Sequence, residues 1–253
     1  MQTEKYLRLL FLALRRVLLY NAIIRPLGGT KLKEITSVHN SVVQLLRALQ
    51  KPKARKENGV FVAESAKMVR EAVELGLCRM LAIESGREEE YAALIEKAEQ
   101  AGCETLLFSS AVMQTASTAK TPQGILCTVA IPEPPKTLSG RRIVALDGVQ
   151  DPGNVGTILR TADAAGFDGA ILGAGCADLY GAKTLRATMG SVFRVPVMMT
   201  DDLPGTLEEM KKRRQGQRKQ RRRSGVPTVA LVGYTNSGKT TLLKRLSGDK
   251  KLY

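Results

Sequence analysis

Between Ile35 and Ile131, short apolar runs alternate with stretches in which apolar residues recur every three or four positions. Runs of the first kind suit strands, and the second spacing marks one face of a helix. Ser41–Leu49 is accordingly predicted as a helix with Val42, Val43, Leu45, Leu46 and Leu49 as its apolar set. Val60–Ala63, Met80–Ile83, Leu106–Phe108 and Ile125–Val129 are predicted strands, and Ala66–Leu75 and Glu89–Gln100 predicted helices, the second stopped by Ala101-Gly102. This alternation argues for a small α/β domain over 34–132. Pro132-Glu133-Pro134-Pro135 then opens a stiff linker, 133–140. A second unit, 141–203, reads as strand 143–149, helix 155–165, strand 169–172, helix 182–192 and strand 194–199. That succession predicts a mainly parallel, doubly wound sheet. Residues 204–227 read as a basic linker, and Thr228–Val232 as a strand followed by a Gly-rich loop and a short helix, 228–253.

The segment Leu146–Gly166, L-D-G-V-Q-D-P-G-N-V-G-T-I-L-R-T-A-D-A-A-G, joins the apolar strand Ile143–Leu146 to an amphipathic helix. Asn154 stands at the expected N-cap, and Val155, Ile158, Leu159, Ala162 and Ala165 mark the apolar face. Ligands of open α/β sheets bind beyond the carboxyl ends of the strands. Asp151, Asn154 and Arg160 are therefore site candidates from patterning alone.

Charge adds a partner class. The formal net charge is +15, but Pro204–Tyr253 holds 14 Lys/Arg against 3 Asp/Glu, and Lys211–Arg223 alone holds nine Lys/Arg in thirteen positions. Such a tract suits a polyanion, nucleic acid before membrane, with a solvated helix as the plainer alternative. Lys51, Lys53, Arg55 and Lys56 form a second basic cluster, read as a loop. Lys183 and Arg186 share a helix face at i, i+3, and with Arg194 form a third set suited to RNA phosphates. The four cysteines form no C-x-x-C pair, and His39 is the only histidine, so disulfide scaffolds, zinc sites and Ser-His-Asp chemistry are disfavoured and no metal is expected. A reducing, cytoplasmic setting fits. Residues 7–24 are apolar, but Arg15 and Arg16 near their middle argue against a membrane span and for an amphipathic extension, 1–33.

D-P-G-N-V-G-T-I-L-R-T-A-D-A-A-G-F resembles the first signature motif of the SpoU (TrmH-type) RNA ribose 2′-O-methyltransferases, and K-T-L-R-A-T-M-G-S-V-F-R-V-P-V (183–197) resembles the segment that follows it. I-T-S-x-x-N (35–40), F-V-A-E-S-A-K (61–67) and T-P-Q-G-I (121–125) are similar to the family's substrate-binding domain, with Ser65 where the family usually has Gly. The resemblance covers about 34–200. It implies S-adenosylmethionine as donor, a ribose 2′-hydroxyl of ribosomal or transfer RNA as acceptor, and a homodimer. Asn154 and Arg160 match the motif's functional Asn and Arg. A guanidinium stays protonated, so Arg160 is expected to fork onto phosphate or ribose oxygens and stabilise alkoxide charge, while Asn154 orients the ribose or holds the loop. The family's two later motifs, which build its knot, donor pocket and dimer face, are not found after Val197. The expected fold is thus a truncated SpoU-like domain behind a substrate domain.

In their place stands G-Y-T-N-S-G-K-T (Gly233–Thr240) after Val229–Val232, a match to the phosphate-binding P-loop pattern. With the preceding R-R-R-S-G-V-P-T it resembles the start of the HflX GTPase domain over about 211–248. On that resemblance Gly233, Asn236, Gly238, Lys239 and Thr240 would contact GTP and magnesium, although the D-x-x-G and N-K-x-D motifs of a working GTPase are absent. A strand and loop completing the neighbouring sheet is the alternative. Three functions stay open: a methyltransferase, active or not; a non-catalytic RNA- or ribosome-binding protein; and a GTP-binding fragment joined by gene fusion or frameshift.

Overall fold

A computed structural model of the chain describes residues 32–220 and 228–233. Two sheets organise it. The first holds β1 (Lys33–Ile35), β2 (Val60–Ala63), β3 (Cys78–Glu84), β4 (Glu104–Phe108) and β5 (Ile125–Ala130) in the order β1-β4-β3-β5-β2. β1, β4 and β3 run parallel, and β5 runs antiparallel to both β3 and β2. Because alternate strand residues face opposite sides, β5 feeds two cores. Ile125, Cys127 and Val129 pack with Phe61, Val69 and Leu81 on one side, and Leu126 packs with Val43, Leu46, Leu106 and Val112 on the other. The helices α1 (Ser41–Ala48), α2 (Pro52–Asn58), α3 (Ala66–Glu74), α4 (Ala92–Gln100) and α5 (Ser110–Ala116) surround this sheet. Asn40 and Ser65 cap α1 and α3 by accepting from Val42 N and Met68 N, as short polar residues at helix starts do.

Several elements differ from the sequence expectation: β1 has no counterpart in it, the helix expected over 182–192 stops at Thr188 where Met189 turns left-handed (φ 51°), and the strand expected over 194–199 is confined to Val197–Met199. Lys51–Lys56 is no loop but the start of α2, with Pro52 in its first turn and Gly59 (φ 65°) ending it in the left-handed region. Its sequence P-K-A-R-K-E-N lacks an apolar stripe, so periodicity passed over it. α5, capped by Ser109 accepting from Val112 N, is also absent from the expectation; it buries Val112, Met113 and Ala116, but at seven residues it is too short for a period to show.

The second sheet is all parallel, in the order β8-β7-β6-β9, from β6 (Arg142–Asp147), β7 (Gly169–Leu172), β8 (Val197–Met199) and β9 (Thr228–Gly233). α6 (Pro152–Ala164) covers one face, where Val155 and Leu159 meet Val144 and Leu146. α8 (Leu203–Gln220) begins on the other, where Leu203 and Leu207 meet Ile143, Ala145 and Ile171. Much of the expected basic linker is therefore the continuation of a helix anchored in the core. β9 pairs with β6 along its whole length, from Arg142↔Thr228 to Asp147↔Gly233. Residues 228–233 are thus an integral strand of the second sheet. α7 (Ala182–Thr188) and a 3-10 turn, Ser191–Phe193, lie between α6 and the first sheet. No described helix is long and apolar enough to cross a membrane, and the 7–24 segment lies outside the described residues.

Candidate active site

β6 delivers the loop Gly148–Asp151 to the carboxyl edge of the parallel sheet, the edge at which such folds take ligands. Asp147 ends the strand half-buried, and Gly148 follows at φ 61° with open space where a side chain would stand. The neighbouring loop after β7 closes against it. Ala177 N donates to Val149 O (2.8 Å), and the half-buried Cys176 lies with its sulfur 3.4 Å from Leu146 O.

The helix cap is Asp151, not Asn154. Asp151 Oδ1 accepts from Asn154 N at 2.8 Å, Pro152 opens α6, and Asn154 falls inside the first turn with its side chain exposed. The expected cap at Asn154 is thus corrected to Asp151, the residue before Pro152, since proline is favoured at the first helical position. Asn154 is thereby relieved of a capping role. Arg160 is also exposed, six residues on and so about 9 Å further along the axis.

α7 packs directly on α6 at Gly156. A Cβ there would collide with Ala187 Cβ and lie 2.6 Å from Thr184 O, so the motif's second glycine is required by helix contact. From α7, Lys183 Nζ reaches back to Asp151 Oδ2 at 3.2 Å. Asn154 N and Lys183 together hold the Asp151 carboxyl below its ordinary range.

The segment that follows β7 also builds the seam with the first domain. Tyr180 stacks on Phe61 with ring centroids 4.9 Å apart, Phe193 lies 6.3 Å from the same ring, and Leu185 joins the first domain's core. Burial pushes the Tyr180 phenol up to about 12, so the ring stays neutral in the stack. Arg186 Nη1 donates to Thr118 Oγ1 at 2.7 Å. Arg194 pairs with Glu71 across the seam and with Asp163 of α6 at 2.7 Å. Burial pushes the Asp163 carboxyl up, but bonds from Arg194 and Ser191 outweigh it and hold the group below its usual range.

The candidates thus divide. Asn154 and Arg160 stand exposed on α6, and Lys183 sits beside the former's loop. Arg55 is corrected: it is 3% exposed, donates to Leu49 O (2.7 Å) and pairs with Asp178, so it is a strut between the domains and not an RNA contact. Its neighbours Lys51, Lys53 and Lys56 are exposed, with Lys53 3.9 Å from Glu57. Arg186 and Arg194 are exposed but tied to first-domain residues. Sequence reasoning missed Asp147 and Gly148, although both stand in the quoted motif, and it missed Glu64 and Thr118, which only the tertiary fold joins to α7. Gly233 ends β9 beside Asp147. Asn236, Gly238, Lys239 and Thr240 lie outside the described residues.

A parallel sheet with its ligand edge at a D-x-x-x-D-P-G-N loop, closed against a mixed-sheet domain through one crossover segment, defines a two-domain α/β protein of a particular architecture. Known proteins share it. The SpoU rRNA Methylase family model matches residues 141–226, and the MRM3-like substrate binding domain model matches 40–127. The first of these matches runs past residue 200, where the motif resemblance stops, and takes in α8. The chain is 33% identical over 181 residues to the 23S rRNA (guanosine(2553)-2′-O)-methyltransferase RlmP of Bacillus subtilis, covering 71% of this chain and 70% of that protein. It is 29% identical to rRNA methyltransferase 3A, mitochondrial, of Danio rerio, over 68% of this chain and 39% of that one. An AdoMet-bound rRNA methyltransferase from Sinorhizobium meliloti superposes with TM-score 0.67 at 33% identity, covering 85% of each chain. The chain belongs to the SpoU methylase family. Neither matching family model is a GTPase model.

Proposed function

We propose that the chain transfers a methyl group from S-adenosylmethionine to a ribose 2′-hydroxyl of ribosomal RNA in the cytoplasm, the first domain holding the RNA and the second the reacting groups. The observation that carries this reading is the loop after β6. It opens α6 so that Asn154 stands exposed in the first turn beside the ligand edge, with Arg160 exposed about 9 Å further along the helix, while Asp151, and not Asn154, takes the capping role.

The edge fits a donor of this class in two respects. Gly148 leaves open space at φ 61°, and the Asp147 carboxylate beside it complements a sulfonium cation. Asp147, Gly148 and the end of β9 at Gly233 would hold the donor there, and S-adenosylmethionine supplies an electrophilic methyl group. The chain's own residues orient the acceptor. Asn154 offers an amide donor and acceptor to ribose hydroxyls. Arg160 brings fixed guanidinium N–H groups to the ribose–phosphate oxygens, where positive charge favours the alkoxide that must attack. Lys51 at the cap of α2, Lys53 and Lys56 within it, and the exposed Lys212 of α8 supply phosphate contacts, the component of RNA affinity that weakens with salt.

The test is tritium transfer from S-adenosylmethionine to unmodified ribosomal RNA transcripts, with calorimetric titration of the donor alone. Label in ribose and heat on titration are expected. Salt-dependent RNA binding without either would leave the chain an RNA-binding protein. The family expectation of a homodimer is checked by sedimentation of the full chain. For Gly233–Thr240 the sequence motif alone supports GTP and magnesium binding; absence of labelled GTP retention by the unaltered chain would discard it.

A further inference from the structure

Helix α7 carries two cations, Lys183 and Arg186, that share a face and reach in opposite directions. Lys183 Nζ donates to Asp151, whose other oxygen caps the helix carrying Asn154. Arg186 Nη1 donates to Thr118 Oγ1 at 2.7 Å, in the first domain's loop after α5. Thr118 is itself fixed. Its backbone N and its hydroxyl each donate to Glu64 Oε1 at 2.9 Å, at the end of β2, and Ser117 Oγ donates to Oε2 at 2.9 Å. A hydroxyl has one proton. Since Thr118 gives its proton to the Glu64 carboxylate, its lone pairs face Arg186, and the chain of bonds has a set direction.

We propose that Glu64, Thr118 and Arg186 form a positioning relay for methyl transfer, locking α7, and through Lys183 and Asp151 the Asn154 loop, in register with RNA held by the first domain. This rests on the methyltransferase reading above. Adhesion between the domains has other sources: the Phe61, Tyr180 and Phe193 rings, buried Leu185, and buried Arg55 on Asp178. Exposed polar contacts such as the Arg186 bond add little to adhesion. Their worth lies in angle, because a bond through a shared hydroxyl tolerates little rotation of α7 against the first sheet. The relay joins the far end of α7 to the RNA-side domain, while Lys183, one turn away, joins it to the reacting loop.

The deciding substitution is Thr118→Val, which keeps shape and removes the hydroxyl, with Thr118→Ser as its rescue and Glu64→Ala, which removes the acceptor of both Thr118 bonds, as a second break. In methylation of unmodified ribosomal RNA transcripts by the full chain, Thr118→Val is expected to lower kcat about tenfold, the size of effect that a small misplacement of reacting groups produces. KM for RNA and for S-adenosylmethionine stays within about twofold, the mark of an effect on orientation and not on binding. Thr118→Ser returns the parent rate. Amide exchange in Ala182–Thr188 and Gly148–Asp151 speeds up in Thr118→Val and Glu64→Ala, and this readout needs no turnover. An unchanged rate, or a raised KM at constant kcat, would overturn the relay in an active protein. If the unaltered chain transfers no label, the methyltransferase reading fails and exchange alone decides, unchanged protection in α7 sinking the relay.

Discussion

Gly156→Ala separates two opposing effects whose sizes are known. Alanine is favoured over glycine inside a helix by about 1 kcal/mol, so on propensity alone the substitution stabilises α6. Contact says otherwise. The new methyl would lie 2.6 Å from the Thr184 carbonyl oxygen and would collide with Ala187 Cβ. Restoring an ordinary carbon–oxygen separation of about 3.3 Å at Thr184 alone requires α7 to retreat by roughly 0.7 Å, and relieving the closer Ala187 Cβ requires more. The obstacle is partly backbone, which cannot rotate away as a side-chain tip can. Overpacking of this kind costs about 1–3 kcal/mol, and the backbone contact puts Gly156 toward the upper end. The net expectation is a loss of about 1–2 kcal/mol after the propensity gain is subtracted. For a chain of this size that lowers the thermal midpoint by about 2–8 °C. Urea unfolding followed by circular dichroism measures the first quantity and a thermal scan the second. Methyl transfer should fall further than stability, because α7 carries Lys183 and Arg186 with it. A Gly156→Ala protein as stable as the parent would show that the helices have room to spare, and would refute the close-contact account of the motif's second glycine.

Asn154→Ala should leave unfolding free energy within about 0.5 kcal/mol, because Asp151 caps the helix, while lowering methyl transfer at least about tenfold; a clear loss of stability would return the cap to Asn154. Acid should destabilise the protein through Asp151 and Asp163, whose folded carboxyls are both held below the ordinary 3.8. A depressed folded pKa contributes stability that is fully present above the unfolded value and is lost as pH falls through the folded one. Stability should therefore decline below about pH 4, and Asp163→Asn should flatten that decline; an unaltered profile would show that Arg194 and Ser191 do not hold the carboxylate. Arg55→Met should cost about 1–3 kcal/mol in urea unfolding through loss of the Leu49 and Asp178 bonds, with little dependence on salt because the guanidinium is buried; parent stability would remove Arg55 from the seam.

Short apolar runs and helical spacing carried most of the elements: Val60–Ala63 and Gly169–Leu172 fall where the short apolar runs place them. It failed where the stabilising contacts are local and polar. α2 is held by Pro52 at one end and Gly59 at the other, and its buried side chain is an arginine, which no hydrophobic pattern marks. The same limit explains the site. Asp151, Asn154 and Arg160 lie in one continuous motif and were legible together. Glu64, Thr118 and Arg186 are 54 and 68 positions apart along the chain and meet only when the seam closes. The cap at Asp151 carried a sequence signal, Pro152 directly after it, which the placement of the cap at Asn154 passed over.

The distribution of basic side chains shows why net charge pointed to a partner class more safely than to particular contacts. Arg55, Arg186 and Arg194 were grouped with the lysines as phosphate ligands, yet each is engaged across the domain seam, with Asp178, Thr118 and Glu71. The lysines at 51 and 56 remain at the surface. That division follows from chemistry. A guanidinium offers several directed donors and is weakly hydrated, so it suits fixed, partly buried bonds, whereas an ammonium is strongly hydrated and suits mobile contact with phosphate. The segment from Asp178 to Arg194 therefore does two things at once. Its apolar and arginine side chains close the seam, and Lys183 holds Asp151 at the start of α6. A substitution that loosens the seam should reach Asn154 through α7 before it unfolds either sheet.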